Sequence, residues 1–193
     1  MKLDNVALNR LFLESKTITK FEDREISDEI LNQIYDLAKM GPTAFNAQPA
    51  RFAFIKSQEA KQKLKPYLME GNIEKTMAAP VTIIVATDYK FYDLLPKVFP
   101  IADVKGYFEG NQEMIDSTAF RNGTLTAGYL IMAIRSLGLD VGPMSGFDNA
   151  GVDNEFFKGT DIKSNFLINI GYGIDSGYER LPRLNFNESA KIL

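Results

Sequence analysis

The sequence is 193 residues long, carries 22 basic and 25 acidic side chains, and contains no His, Cys or Trp. Without Cys and His it can form no disulfide, thiolate nucleophile, imidazole metal site or Ser-His-Asp relay. A net charge of −3 offers no broad basic face for a nucleic-acid backbone. Proton transfer near neutral pH must therefore use a carboxylate, Lys, Tyr, a substrate group or a cofactor.

The sequence has no stretch typical of a membrane anchor or a secretory leader. Its longest run without a charged residue, Asn122 to Ile134, is shorter than the roughly 20 apolar residues that a spanning helix needs. Asp4 and Asn5 interrupt the region where a leader would be apolar. A cytoplasmic location is expected, and the missing cysteines fit a reducing compartment.

The first half of the chain predicts helices alternating with two strands. Ser27 can cap a helix, because apolar residues then repeat at helical spacing up to Ala38, where Gly41-Pro42 ends the pattern. The run VTIIVAT is β-branched and almost wholly apolar, which is typical of a strand buried on both faces. The predicted elements are a short helix over 6–12, a helix over 27–38, a strand over 51–56, a helix over 57–68 broken at Pro66, and a strand over 81–87.

The second half predicts a long helix over 112–137, a short helix over 152–157 and a second buried strand over 166–171. Apolar or small residues cover most sides of the stretch 124–134, so it should lie deep in the core or in a subunit contact. The spacing leaves parallel and antiparallel pairing open. Residues 1–193 are expected to form one three-layer α/β or α+β domain.

Three polar or glycine-rich segments could carry chemistry. Residues 41–49 offer short hydrogen-bonding groups, residues 141–148 contain two glycines that let backbone approach a flat ligand, and residues 179–183 present two guanidinium groups suited to phosphate. Each also has a plain interpretation: a helix stop, a loop leading to the next helix, and a solvated Arg pair. The sequence patterns alone therefore predict a domain with a candidate site for an anionic ligand, and nothing more specific.

Taken together, the three segments resemble the FMN-dependent nitroreductase family. The similarity rests on the opening stretch Ser15 to Phe21 and on four motifs that follow it in the family's order. It is strongest to the family's malonic semialdehyde reductase subgroup through Thr118–Asn122 and Leu167–Gly173. The four motifs are Pro42-Thr-Ala-Phe-Asn-Ala-Gln-Pro-Ala-Arg-Phe52, Ala79-Pro80, Leu137-Gly-Leu-Asp-Val-Gly-Pro-Met-Ser-Gly-Phe147 and Arg180-Leu-Pro182.

The resemblance implies a nitroreductase-like α+β fold, a three-layer αβα sandwich around a mainly antiparallel sheet. It also implies a homodimer with FMN at each subunit interface and NADH or NADPH as the electron donor. A small carbonyl compound such as malonic semialdehyde would be the acceptor, with hydride passing through flavin N5. The alternatives are a general nitroreductase or quinone reductase, a non-catalytic FMN-binding protein, and a flavin-free interaction domain.

The resemblance also assigns site residues, although no catalytic side chain can be named. Three departures from the family pattern stand out: a reduced basic stretch at 15–19, Ala50 in place of a common Trp, and no Glu in the loop at 144–146. The implied contacts are Ser15, Lys16, Thr17 and Arg180 for the FMN phosphate and ribityl chain, with Arg183 as added charge; Pro42, Thr43, Ala44 and Asn46 from the second subunit; Pro143, Met144, Ser145 and Gly146 beside the ring; Asn72 and Asn122 as polar flavin contacts; and Arg121 for a substrate carboxylate.

Overall fold

The computed structural model describes residues 2–175 and 177–193 of the chain. Within them, four strands and eight α-helices are joined by short 3-10 turns, and a π-helical turn over Asn9–Leu13 continues the first helix. The strands are β1 (Ala50–Ile55), β2 (Val81–Asp88), β3 (Asp140–Met144) and β4 (Ile162–Gly171). The helices are α1 (Asn5–Leu8), α2 (Asp28–Ala38), α3 (Gln58–Leu64), α4 (Glu70–Ala78), α5 (Leu95–Val98), α6 (Gln112–Ser136), α7 (Asn149–Phe156) and α8 (Phe186–Ser189).

The four strands form one sheet in the order β1-β2-β4-β3, and every neighbouring pair is antiparallel. Strand β2 lies in the interior of the sheet, and its first seven residues are buried, as its unbroken apolar pattern predicts. Strands β1 and β3 are the two edges. The pairing direction, which spacing had left open, is thus antiparallel, as the family resemblance implied.

Helices cover both faces of the sheet, which confirms the predicted three-layer αβα arrangement. Successive side chains on a strand point to opposite faces, so Ile83 packs toward α2 and α6, and Ile84 packs toward α3 and α7. Ile34 of α2 and Leu130 of α6 fill the first interface, and Leu64 of α3 helps to fill the second. The core therefore lies in two layers, one on each side of the sheet.

Two helices match their sequence predictions closely. The Ser27 side chain accepts a hydrogen bond from the Ile30 N–H and so caps α2, while acidic residues occupy its positive first turn. Helix α6 runs for 25 residues, as its long apolar pattern predicts. No helix among the described residues is long and apolar enough to span a membrane.

Two differences from the predictions bear on the candidate site. The segment 141–148, predicted as a loop, begins inside strand β3, which tolerates Pro143 because an edge strand needs hydrogen bonds on one side only. The helix predicted over 57–68 ends at Leu64 in a 3-10 turn, and a separate helix, α4, follows. Helix α4 was not predicted, and it lies directly beside the candidate site.

Candidate functional site

The residues assigned from sequence fall into two groups at opposite edges of the sheet. One group gathers around β3, and the other gathers around the loop that enters β1. The β3 group contains Ser15, Lys16, Thr17, Asn72, Pro143, Met144, Ser145, Gly146 and Arg180, and the β1 group contains Pro42, Thr43, Ala44, Asn46 and Asn122.

The chain after Lys16 runs alongside strand β3. The Ile18 N–H donates to the Val141 carbonyl at 2.9 Å, and this contact brings Thr17 to the sheet edge. Gly142 is required at the crossing, because a Cβ there would collide with the Ile18 carbonyl. The predicted phosphate-binding stretch and the predicted ring-binding loop are therefore parts of one surface.

Helix α4 anchors the loop that follows β3. Asn72 Nδ2 donates to the Gly146 carbonyl at 2.7 Å, and the Met69 N–H donates to the same oxygen at 3.1 Å. One turn further along α4, the Thr76 hydroxyl donates to Met144 Sδ at 3.6 Å. Both ends of the loop are thus held from one helix face, since residues four apart point the same way.

A buried polar row supports this anchor from within the core. Thr82 Oγ1 donates to Asn169 Oδ1 at 2.7 Å, and Asn169 Nδ2 donates to Thr76 Oγ1 at 3.4 Å. All three side chains are at most 1% exposed, so their hydrogen bonds satisfy groups that would otherwise be costly to bury. Sequence reasoning missed this row; its signal was a lone Asn inside the apolar strand FLINIG.

Ser15, Lys16 and Arg180 meet at one end of the β3 group. The Ser15 hydroxyl donates to the carbonyl of Leu11 at 3.1 Å, and Arg180 donates to the carbonyls of Phe12 and Ser15. Lys16 Nζ binds the carboxylate of Asp175 at 2.6 Å. Groups from the two ends of the chain therefore lie together in one cationic cluster.

Two further arginines, which the sequence reasoning missed, join this cluster. Arg10 forms an ion pair with Asp140 at 2.9 Å, and Arg135 NH1 donates to the Leu11 carbonyl at 3.1 Å. Burial lowers the pKa of Arg135, and the neighbouring charge of Arg180 lowers that pKa further. Positive charge is therefore concentrated here, which is the electrostatic setting in which a bound anion is stabilised.

The loop at the β1 edge is held in an unusual backbone conformation. Phe45, Asn46 and Gln48 have φ values of 52°, 50° and 45°, which are rare for residues other than glycine. Hydrogen bonds hold the loop: the Ala44 N–H donates to buried Asn122 Oδ1 at 2.8 Å, and the Gln48 N–H donates to Thr43 Oγ1 at 3.2 Å. The Asn46 side-chain amide also donates to the carbonyl of the last residue of α5 at 2.8 Å.

Aromatic side chains also pack against Phe45 of this loop and hold it in place. The Phe45 ring lies 5.7 Å from the ring of Phe99 and 6.2 Å from that of Phe108, both in edge-to-face geometry. Beside the loop, a cavity of about 450 Å³ is lined by apolar side chains such as Phe52 and Phe54 and by Arg51, which pairs with Asp88. The loop therefore presents a rigid backbone next to an open, partly cationic cavity.

The two groups are well separated within one chain. Strand β1 begins at Ala50, opposite Thr87, whereas β3 ends at Met144, in line with Leu167, Ile84 and Ala53. The two strand ends are separated by three strand spacings of roughly 4.8 Å across the sheet and by three residues of roughly 3.4 Å along it. They therefore lie roughly 18 Å apart.

The two remaining assigned residues belong to neither group. Arg121 lies exposed on α6 and takes part in no ion pair among residues 2–175 and 177–193. Arg183 is exposed and donates to the carbonyls of Leu181 and Pro182 in its own segment. The structure therefore does not bring Arg183 to the cationic cluster.

Solved structures share this fold. A protein from Bacillus subtilis, described as the "putative nitroreductase ydfN", superimposes with a TM-score of 0.87 at 22% identity, covering 98% of this chain and 100% of that one. A structure from Exiguobacterium sibiricum, described as a "putative nitroreductase in complex with FMN", gives a TM-score of 0.86 at 22% identity, covering 100% of this chain and 99% of that one.

Sequence comparisons agree with this. A protein of Burkholderia lata, named "Putative NADH dehydrogenase/NAD(P)H nitroreductase", is 53% identical over 191 residues, which is 98% of either chain. A relative of the same name from Stenotrophomonas maltophilia is 54% identical over 98% of this chain and 97% of its own. The Nitroreductase family model matches residues 14–172. The chain belongs to the nitroreductase family.

Proposed function

We propose that this protein is an FMN-dependent oxidoreductase that uses NADH or NADPH to reduce a small carbonyl acceptor such as malonic semialdehyde. The observation that carries the proposal is the cationic cluster of Lys16 and Arg180 beside Ser15, which lies on one surface with the loop at 143–146. Family membership, the FMN in the Exiguobacterium structure and the NAD(P)H in the relatives' names support it.

The residues present fit FMN. A phosphate monoester suits the guanidinium of Arg180. It would also accept from Lys16 and from the Ser15 hydroxyl once these leave Asp175 and the Leu11 carbonyl. The backbone of 143–146 suits a flat ring, because Gly146 carries no side chain. A Cβ at this position would collide with Asn72. In this proposal Pro143, Met144 and Ser145 complete the ring contact, and Thr17 contacts the ribityl chain.

When bound, FMN would supply the redox centre that accepts hydride from the nicotinamide and delivers it to the acceptor. The chain's own residues would bind and orient both partners at near-attack distance, which supplies much of the rate. Since the sequence contains no His or Cys, any protein group that donates a proton to the reduced carbonyl would be a Tyr, a Lys or a carboxylic acid.

We further propose that two copies share each flavin site. The loop at 42–46 and the loop at 143–146 lie at opposite edges of one sheet, so one chain alone does not bring them to a single ring. Exposed apolar side chains on α6, Phe120, Leu125 and Tyr129, suit burial against a second copy. In such a homodimer, Asn122 would act indirectly by holding the partner-facing loop through Ala44.

The proposal treats residues 1–193 as one domain, because a single sheet carries both core layers. A cytoplasmic location belongs to it as well, since a chain without Cys needs no oxidising compartment.

Arg121 is the proposed partner for a carboxylate on the acceptor. It is exposed beside Phe120 and Leu125, so a small acid could reach it from the same face that would meet the second copy. We expect Arg121→Ala to raise the KM for malonic semialdehyde at least tenfold, because one charge-assisted contact is lost. The KM for an uncharged quinone is the internal control, and equal changes for both acceptors would remove the assignment.

A second candidate, a general nitroreductase or quinone reductase, is favoured by the relatives' names. The test is a steady-state comparison of malonic semialdehyde, a quinone and a nitroarene with each nicotinamide. A kcat/KM at least tenfold higher for the semialdehyde supports the proposal, and a preference for the quinone or nitroarene supports the second candidate. If NADH and NADPH both fail to bleach the flavin band anaerobically, the protein is a non-catalytic FMN carrier.

Arg180→Ala tests the phosphate end directly. Removing this guanidinium should weaken FMN binding by about 1.5–3 kcal/mol, because a phosphate then loses a charge-assisted contact. The measurement is a fluorescence titration of the apoprotein with FMN, and a melting curve of the same sample checks that the N-terminal turn still folds. Unchanged FMN affinity in a folded variant would contradict this placement.

A further inference from the structure

Arg135 is a half-buried cation that the assignments above leave without a role. It is the next-to-last residue of α6, and its side chain reaches the π-helical turn near the N-terminus, where NH1 donates to the Leu11 carbonyl at 3.1 Å. The Ser15 hydroxyl donates to the same oxygen at the same distance. Arg135 and Ser15 therefore lie within hydrogen-bonding reach of one atom.

Arg180 occupies the adjacent position of this turn. It donates to the Phe12 carbonyl, next in sequence to the oxygen that Arg135 and Ser15 share, and to the Ser15 carbonyl. Two guanidinium groups from distant parts of the chain thus converge on consecutive carbonyls. Like charges held this close repel each other unless an anion lies between or beside them.

The charge balance of the cluster is uneven. The charge of Arg10 is offset by Asp140 and that of Lys16 by Asp175, at 2.9 Å and 2.6 Å. For Arg135 and Arg180, no ion pair lies within the described residues, 2–175 and 177–193. Burial and the charges of Arg180 and Arg10 lower the pKa of Arg135, and the nearby carboxylate of Asp140 raises it only in part.

Stabilising the end of α6 does not account for the direction of this side chain. A basic residue in the last turn of a helix ordinarily stays near that helix's own carbonyls, where it offsets the negative end of the dipole. Arg135 instead crosses to the turn that carries Ser15. There it satisfies a carbonyl near the end of the π-helical turn, which sets its guanidinium beside Ser15 and Arg180.

We propose that Arg135 is a specificity determinant of the phosphate end of the site: its charge favours a ligand with a terminal phosphate dianion over the same ligand without it. The inference rests on the proposed FMN site and extends it, because it predicts discrimination between FMN and riboflavin. Arg135 acts through charge and by fixing the turn that positions Ser15, and the two effects can be separated.

The test compares the affinities of FMN and riboflavin for the full-length apoprotein by flavin fluorescence titration. Arg135→Gln removes the charge and keeps a hydrogen-bonding side chain, Arg135→Lys restores the charge, and Lys158→Gln makes the same change in net charge at an exposed site after α7. One charge near the phosphate at an intermediate dielectric corresponds to about tenfold in affinity.

We therefore expect Arg135→Gln to weaken FMN about tenfold and to leave riboflavin within twofold, while Arg135→Lys stays close to wild type and Lys158→Gln changes neither affinity. Equal losses for FMN and riboflavin would mean that Arg135 only supports the fold and would overturn the proposal, as would no loss for either. If Arg135→Gln does not fold, Arg135→Met provides a second neutral side chain of similar reach. A wild type that binds neither flavin would refute the proposed function itself.

Discussion

The two edges of the sheet hold their loops by different means. The loop entering β1 has three residues with positive φ and is fixed by an aromatic cluster around Phe45. The loop leaving β3 has ordinary backbone angles and is fixed by hydrogen bonds from Asn72 and Thr76 of α4. A loop can thus be held rigid either by side-chain packing around a strained backbone or by hydrogen bonds to an unstrained one.

Substitutions at the two edges should therefore have different effects. Packing energy is spread over many contacts and its loss is large, whereas one hydrogen bond contributes about 1 kcal/mol net. Damage to the aromatic cluster should therefore destabilise the whole chain. Damage to the polar anchors should mainly move the loop at 143–146 and change ligand affinity.

The largest expected effect tests the packing side. Phe45→Ala should lower the free energy of unfolding by about 3 kcal/mol, because a ring packed edge-to-face against two others is replaced by a gap. Urea unfolding measures the loss. Tyr107→Ala is the control, since that ring also lies near Phe45 but is 60% exposed. If the two variants lost equal stability, packing would not be what holds the β1 loop.

The second prediction concerns the contact of α6 with β2 behind the β1 edge. A Cβ at Gly123 would stand 2.5 Å from the buried Thr87 hydroxyl, so Gly123→Ala should cost about 1–3 kcal/mol of stability. Gly128, on the same helix, has no neighbour within 4 Å of the same built position. At a concentration where the copies are dissociated, Gly128→Ala should therefore gain about 0.5–1 kcal/mol from helix propensity. Equal effects would show that close helix-to-strand approach is not required.

The smallest effect tests the polar side through the C-terminal end of α4. Lys61 Nζ is buried and donates to the carbonyls of Thr76, Met77 and Ala79, and burial lowers its pKa to about 8 from 10.5. Between these two values the unfolded chain binds more protons than the folded one, so stability rises with pH.

Relative to Lys61→Met, the wild type should therefore gain about 1 kcal/mol between pH 8 and pH 9. Urea unfolding of both proteins at the two pH values measures this difference. A wild type that lost stability relative to the variant over that interval would show that the folded Lys61 keeps its charge.

The sequence predicted the elements that depend on local patterns. Ser27 and the apolar repeat after it placed α2, and the unbroken VTIIVAT run placed β2 and its burial on both faces. The three polar segments also led to the right family, because their order survives even where single residues depart from its pattern.

Features that depend on distant partners could not be predicted. Strand β3 contains Gly142 and Pro143, which disfavour a strand until β4 pairs with it on one side. Helix α4 has only a weak apolar pattern, and it is stabilised by the β3 loop and by Lys61. Arg135 lies 124 residues from the carbonyl that it binds, so only the fold reveals it.

The central claim is that one FMN is bound by two edges of the sheet that belong to different copies of the chain. Sedimentation velocity of the purified holoprotein, recorded at the flavin absorbance band, tests it most directly. The account predicts that all flavin sediments with a species of twice 21.6 kDa and that dilution to monomer releases it. Flavin that stays bound to a 21.6 kDa monomer would contradict the account.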